Sequence, residues 1–382
     1  MMDRIFRATV LAKLKRARAA VLVGPRQCGK TTLAKTLGTI VYFDLEKETD
    51  RVRLDVEWPN LVKADACIVL DEVQTMPELF PRLRSEIDAQ RKRNGRFLLL
   101  GSVAPSLMKQ VAESLAGRMA VCEMSPFLAG EIPLERWDAL WRFGGYPDGG
   151  VLDEAQFPDW QNDYLTLLAQ RDFPVWGLSA LPPVTMRLLG MLAASNGRQW
   201  NASQIAKGLG VSYHTVNSYV AFLEQAFLVR RIPAWSGNIA KRIVKAPRLC
   251  WRDSGLCHAL LGLRSGQDLL NQPWVGSSWE CWVIEQILGA FRAAGVQAAP
   301  YWLRTRDDQE VDLIVEFGME RWVVEIKLTS LPKSEDFRAL RKASGMISAT
   351  RAILVSRSPE IIWGEREASV NLSEMLEQIR SL

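Results

Sequence analysis

Histidine is nearly absent: His214 and His258 are the two in 382 residues, too few for a structural zinc site of the usual Cys/His kind. The cysteines at 28, 67, 122, 250, 257 and 281 form no CxxC pair. That removes a zinc ribbon, a thioredoxin-like redox motif and a disulfide framework, and it suits a reducing cytoplasm. No stretch approaches the roughly 20 apolar residues that a membrane-spanning helix needs. Near the start, Lys13, Lys15, Arg16 and Arg18 interrupt every apolar run of signal-peptide length, so neither a membrane anchor nor a secretory leader is expected. Internal repeats and low-complexity segments are missing too. Charge is not lopsided: a formal +5 permits contact with nucleic acid without demanding it.

What is present is the composition of a folded globular protein, 48% hydrophobic and 24% charged, in a chain long enough for two or three cores. Residues 5–18 have helical spacing with a basic outer face. Short apolar runs at Ala19–Val23, Ile40–Phe43, Cys67–Leu70 and Phe97–Leu100 read as buried strands, and helical patterns between them, such as Leu79–Arg93, predict a parallel sheet covered on both faces. From about residue 135 the pattern turns helical. Residues 232–275 read as irregular, and strands return at Glu310–Phe317, Arg321–Leu328 and Ala352–Ser356. The expected fold class is α/β: a P-loop ATPase domain over 1–134, a helical and winged-helix middle over 135–250, and a mixed α/β domain over 251–382.

The most specific motif is Gly24-Pro25-Arg26-Gln27-Cys28-Gly29-Lys30-Thr31, followed by Thr32. It satisfies G-x-x-x-x-G-K-[ST] between an apolar strand and a helix. Backbone amides of such a loop cradle phosphate oxygens, Lys30 reaches the β- and γ-phosphates, and the Thr31 hydroxyl can ligate Mg²⁺. The apolar strand ending in Asp71-Glu72 offers one carboxylate to hold Mg²⁺ through water and another to polarise an attacking water. Its distance along the chain suggests a strand neighbouring the P-loop strand. Ser102, at the end of the strand Phe97–Leu100, either senses the γ-phosphate or caps a helix at Ala104–Val111. Arg118 is either an arginine finger offered to a neighbouring subunit or a surface arginine.

The run GPRQCGKTTL, the IVLDE strand, LLLGS and the SLAGR…SPF segment resemble the AAA-type (AAA+) ATPase domain of a large bacterial and archaeal family, in which it precedes a C-terminal region of uncharacterised function. Phe143-Gly144-Gly145-Tyr146-Pro147 and Arg171-Asp172 extend the resemblance over nearly the whole chain. Cys28 departs from it, standing where an aliphatic residue is more usual, and makes the loop a candidate for thiol modification.

Residues 202–221 have helix-turn-helix spacing. Ala206 sits at the helix crossing, Gly210 at the turn, Val211 and Val216 inside, and Ser212 can cap the second helix. That helix is expected to expose Tyr213, His214, Asn217 and Ser218, with a basic wing from Arg230 and Arg231 to Lys241, Arg242 and Lys245. Such a unit either contacts duplex DNA or serves as a packing domain.

Near the C-terminus, Glu310–Phe317 alternates polar and apolar residues and Gly318-Met319-Glu320 turns it back. A hairpin closing near Met319 puts Asp312 roughly opposite Ile326, beside Glu325 and Lys327. Two carboxylates and a lysine can bind a divalent ion and activate water. This resembles the restriction-endonuclease-like PD-(D/E)XK pattern, which implies Glu280, on an upstream helix, as a further ligand. A salt-bridged hairpin gives the same letters. Tryptophans 137, 141, 160, 176, 274, 279 and 282 could stack on bases, but packing is their commoner use.

The sequence therefore leads to an ATP- and Mg²⁺-dependent ATPase. Its expected partners are DNA, recognised by structure rather than sequence, and further copies of itself. Two rivals stand beside it: a nucleotide-driven switch acting on a protein, and an ATP-gated nuclease.

Overall fold

The computed structural model describes residues 3–102, 115–237, 243–306 and 309–382. The helix expected at Ala104–Val111 and the basic residues Lys241 and Arg242 lie outside these. The chain divides into two compact units, Met1–Phe127 with Gln225–Phe227, and Leu128–Glu224 with Leu228–Leu382.

In the first unit, α1 (Phe6–Arg16) leads into β1 (Ala19–Gly24) and the short α2 (Lys30–Ala34). Then come β2 (Ile40–Asp44), α3 (Glu48–Leu61), β3 (Cys67–Asp71), α4 (Leu79–Ala89), β4 (Phe97–Ser102) and β5 (Met119–Glu123). The strands make one parallel sheet ordered β2-β3-β4-β1-β5. Every residue of β1 is buried, as continuous apolar runs require when helices cover both sheet faces. One expectation is corrected: β3 is not the neighbour of β1, because β4 lies between them. Helical crossovers let a later strand insert, so separation along the chain does not specify adjacency. The order reverses at β1, and in such sheets the crevice beyond the strand carboxyl ends at this point takes ligands.

The second unit opens with α5 (Trp137–Phe143), α6 (Asp159–Leu167) and α7 (Pro182–Ala194). A helix-turn-helix follows, made of α8 (Ala202–Leu209) and α9 (Tyr213–Gln225). Asn201 caps α8 through its side chain, Gly210 ends it in the left-handed region (φ 71°), and the Ser212 Oγ accepts from the Thr215 amide at 3.1 Å. Val216 is buried as expected, whereas Val211 is only half-buried. The described part of the stretch expected to be irregular contains three regular elements, one of them a short helix over Gly266–Leu270. β7 (Arg248–Trp251) pairs antiparallel with β6 (Val229–Ile232), and α10 (Ser254–Leu260) follows it.

Asp253 explains both α10 and the Phe143-Gly144-Gly145 motif. Its carboxylate caps the helix by accepting from the Leu256 amide (3.0 Å) and also accepts from the Gly145 amide (2.8 Å). A Cβ on Gly144, whose φ is 84°, would stand 2.2 Å from that carboxylate.

Beyond α11 (Val275–Ala293), a six-stranded mixed sheet is ordered β12-β13-β11-β10-β9-β8. Its strands are β8 (Ala299–Arg304), β9 (Glu310–Phe317), β10 (Glu320–Ile326), β11 (Arg351–Ser356), β12 (Ile362–Trp363) and β13 (Glu367–Asn371). The helices α12 (Ser334–Ile347) and α13 (Leu372–Arg380) complete the unit. Leu303, Val311, Ile314, Val323, Leu340, Ile347 and Leu354 gather into one core between sheet and α12. The hairpin is one residue tighter than expected. Phe317 pairs with Glu320 across a two-residue turn, so the register carried on places Asp312 across from Glu325 rather than Ile326. Three of these tryptophans resolve as packing: Trp141, Trp279 and Trp282 are buried, with ring centroids 5.0 Å apart for Trp141–Trp279 and for Trp279–Trp282.

Candidate nucleotide site and a carboxylate cluster

The loop Gly24–Gly29 joins β1 to α2 at the carboxyl end of the sheet. Its glycines are required by contact and by conformation. A Cβ on Gly24 would lie 2.2 Å from the Met124 carbonyl oxygen, and Gly29 has a φ of 94°. Gln27 also takes a left-handed φ of 59°, and across the site Glu72 does the same at 50°. Each costs about 1–2 kcal/mol in a residue with a Cβ, the kind of strain that gathers at working sites. Pro25 and Cys28 are buried, Arg26 is half-buried, and Gln27 and Thr32 are exposed. The Cys28 thiol is wholly enclosed, which overturns the expectation that it is a target for modification.

Lys30 is itself buried, and its ammonium donates to the carbonyls of Gly24 (3.0 Å) and Pro25 (2.7 Å). These neutral acceptors hold the charge where a phosphate oxygen can replace them. The Thr31 hydroxyl donates to Asp71 Oδ2 at 2.6 Å, and the Tyr42 hydroxyl donates to the same oxygen at 2.7 Å. Burial and the Asp71 charge push the Tyr42 phenol far above its ordinary pKa, so it stays a neutral donor. Asp71 Oδ1 accepts from the Glu72 amide at 3.0 Å, and the Glu72 carboxylate accepts from the Gln74 side chain. A hydroxyl and a carboxylate already in contact, beside a glycine cradle and a lysine, fit a nucleotide with Mg²⁺. The backbone of Ser102 is level with Gly24 in the β1–β4 register, so β4 ends between the loop and Asp71.

Arg118 is elsewhere. It precedes β5, whose first residue is level with Ala19 at the start of β1, so it sits at the sheet end opposite the loop. There it makes a two-pronged pair with Asp88, at 2.8 and 2.9 Å. The guanidinium lowers the Asp88 pKa. Arg118 does not reach the loop of its own chain.

Arg4, which sequence reasoning passed over, contacts the loop. Buried, it donates to the Cys28 carbonyl (2.6 Å) in the loop and to the carbonyls of Ser125 (2.7 Å) and Pro126 (3.3 Å), with its guanidinium 4.8 Å from the Phe127 ring centre. One side chain thus ties the phosphate loop to the segment leaving β5. No motif marks it, because its partners are backbone carbonyls at distant positions.

In the second unit Asp312, Glu325, Lys327 and Glu280 do converge, but around another side chain. Arg248 on β7 is fully buried and donates to Asp312 Oδ1 (2.8 Å), to the Glu280 carboxylate and to the Gly197 carbonyl (2.9 Å). Asp312 Oδ2 accepts from the Ile326 amide at 2.8 Å, and Lys327 pairs with Glu325 at 2.6 Å. Burial and the neighbouring Asp312 charge push Glu280 up to about 7 against the pull of Arg248. The same two causes push Glu325 up to about 8 against Lys327.

An arginine already stands where a divalent ion was expected. Arg248 already takes Asp312 Oδ1 and the Glu280 carboxylate, and an ion about 4 Å from the guanidinium would be repelled by roughly 8 kcal/mol at an effective dielectric of ~20, a cost set against the pull of the carboxylates. Among the described residues no three His, Cys, Asp or Glu side chains are grouped to hold a metal. In place of the metal roles expected of them, Glu280 and Asp312 pair with Arg248, and Glu325 pairs with Lys327.

On the helix-turn-helix, Tyr213, His214 and Ser218 are exposed as expected. Asn217 turns inward, accepting from Trp200 (3.2 Å) and Arg231 (3.3 Å). The arginines expected in a basic wing are paired with acids, Arg230 with Glu285 and Arg231 with Glu224, while Lys245 is exposed.

Residues 16–133 match an AAA domain, and residues 134–267 and 275–375 match two domains of unknown function, DUF8612 and DUF4143. Uncharacterized protein Rv2008c of Mycobacterium tuberculosis and Uncharacterized protein Mb2031c of Mycobacterium bovis are each 35% identical to this chain over 348 residues, which is 90% of this chain and 77% of theirs. The chain belongs to the family of these mycobacterial proteins. This chain carries an AAA-type P-loop ATPase module at residues 16–133, and the match at 275–375 assigns no nuclease. Among solved structures, the Walker-type ATPase paby2304 of Pyrococcus abyssi is similar at 13% identity over 68% of this chain and 96% of its own, with a TM-score of 0.49. No helix among the described residues is long and apolar enough to cross a membrane.

Proposed function

We propose that this AAA-domain protein hydrolyses ATP with Mg²⁺ and uses the cycle to hold and release DNA. The observation that carries the ATPase reading is the meeting of the Gly24–Gly29 cradle, Lys30 and the Thr31–Asp71 pair at the carboxyl ends of one sheet. In this reading Lys30 leaves the loop carbonyls for the β- and γ-phosphates. Thr31 and Asp71 hold the metal, which supplies charge neutralisation at the phosphates. Glu72 orients the attacking water, and Ser102 senses the γ-phosphate. Arg118, at the far end of the sheet from its own loop, can serve only a neighbour's site, so the reading includes a homo-oligomer whose assembly exchanges Asp88 for a neighbour's phosphate. The DNA part rests on the helix-turn-helix with Tyr213, His214 and Ser218 outward and Lys245 exposed.

The test is steady-state ATP turnover by the full chain, alone and with duplex, single-stranded and branched DNA, beside a Lys30→Ala variant. Turnover that needs Lys30 and rises with one of these DNAs is the expected result. A second reading has a specific observation behind it: because Arg230 and Arg231 are spent on internal acids, the wing suits a protein partner. If turnover needs Lys30 but no DNA changes it or is retained at low salt, this nucleotide switch replaces the DNA reading.

A further inference from the structure

The carboxylate cluster of the second unit contains its own counter-ion. Arg248 comes from β7, whereas Glu280 lies on α11 and Asp312 on β9, so three elements deliver one cation to two carboxylates. Arg248 and Asp312 are enclosed and Glu280 is partly so: side-chain exposures are 1% for Arg248, 7% for Asp312 and 23% for Glu280. The guanidinium is also anchored from behind by the Gly197 carbonyl. The second oxygen of Asp312 takes the Ile326 amide, and Lys327 holds Oε1 of Glu325. Arginine does not deprotonate in proteins, so nothing in ordinary buffers vacates the position.

We infer that Arg248 is the resident cation of this cluster and that the C-terminal domain works without a metal ion. Metal-activated water is then not available there for phosphodiester cleavage. Whatever the domain engages, it binds without cutting by that route.

The test counts bound Mn²⁺ on the full chain without nucleotide, by electron paramagnetic resonance at sub-millimolar metal. Any ion held by the wild type should disappear with Asp71→Asn, which leaves the second unit untouched. A stoichiometric ion surviving Asp71→Asn but lost in Glu280→Gln would overturn the inference.

A second arm uses Arg248→Met, which leaves Asp312 and Glu280 facing each other. Two carboxylates with waters suit a small divalent ion, so millimolar Mn²⁺ should raise the melting temperature of this variant by about 5 °C. It should not do so in Arg248→Lys, where a cation remains. If Arg248→Met folds and shows no Mn²⁺ response while Arg248→Lys does, the resident-cation reading fails. If Arg248→Met does not fold, the counting arm still decides, since it needs no change at Arg248.

Discussion

The two charged sites of this molecule differ in how their charges are satisfied. At the nucleotide loop, the Lys30 ammonium rests on two neutral carbonyls, and Thr31 donates to Asp71. Each of these contacts is one that a phosphate or a metal ion improves on. In the carboxylate cluster, Asp312 and Glu280 are already joined to a buried guanidinium. Exchanging that partner means exposing charges where solvent does not compensate. Similar residue types thus make a site ready for a ligand in one unit and a closed ion-pair network in the other. The deciding variable is whether the resident partner can be displaced.

The largest effect that would sharpen this contrast is on stability. Arg248→Ala should destabilise the second unit by about 3–5 kcal/mol, the usual result of stranding a buried charge, read as a shifted urea midpoint. A loss below about 1 kcal/mol would mean the network is not closed. On the other side, Lys30→Ala should cut ATP turnover by about 10²–10³-fold with little change in the melting temperature. Substituting Asp312 by Asn should leave turnover within about twofold. If Asp312→Asn slowed turnover as much as Lys30→Ala, the two sites would not be independent.

A third prediction probes the second unit's habit of satisfying its polar groups internally. His258 is fully buried between two partners. A carbonyl only accepts, so Nδ1–H donates to the Arg142 carbonyl (2.8 Å) and Nε2 accepts from the Ser278 hydroxyl (2.6 Å), whose oxygen takes the Trp141 indole N–H (3.1 Å). Burial lowers the His258 pKa from 6.5 to about 4. The folded state therefore resists a proton that the unfolded chain accepts. Stability from this group is complete above pH 6.5 and falls as the pH drops toward 4, by roughly 3 kcal/mol in all. Asp253, pushed up to about 6 by burial, acts in the opposite sense over part of that range. The measurement is therefore the difference in unfolding free energy between the wild type and His258→Gln at pH 7 and pH 4.5. That gap should shrink on acidification, and a constant gap would show that the ring titrates normally.

A more modest loss of function is expected at Arg4. Arg4→Ala removes the tie between the Cys28 carbonyl and the segment after β5. It should raise the KM for ATP by about 5–10-fold, worth ~1–1.4 kcal/mol, with kcat less affected. Arg4→Lys should recover part of this. An unchanged KM would make Arg4 a packing residue only.

The legibility of the two sites in the sequence follows the same division. The P-loop is contiguous: eight residues and the strand before them contain the glycines, the lysine and the threonine. Asp71 was legible as well, because an apolar run ending in acids needs no partner to be recognised. Strand β5 escaped notice, being short, at the sheet edge and partly exposed at Val121. Helix α3 escaped because its weak apolar pattern ends near Pro59. In the second unit the letters of a metal site were all there, and the hairpin register was off by one because the turn is two residues long.

Local chemistry determined by the sequence alone thus includes the phosphate loop, the alternation of strands and helices around it, the helix-turn-helix with its caps, and the hairpin that carries Asp312. These features depend on residues within a few positions of one another. Tertiary structure alone decided that β4 stands between β1 and β3, that Arg118 faces away from its own loop, and that Arg248 fills the carboxylate cluster. Each of those depends on which distant elements pack together. A buried arginine is 32 residues from one partner and 64 from the other, and no spacing rule connects them.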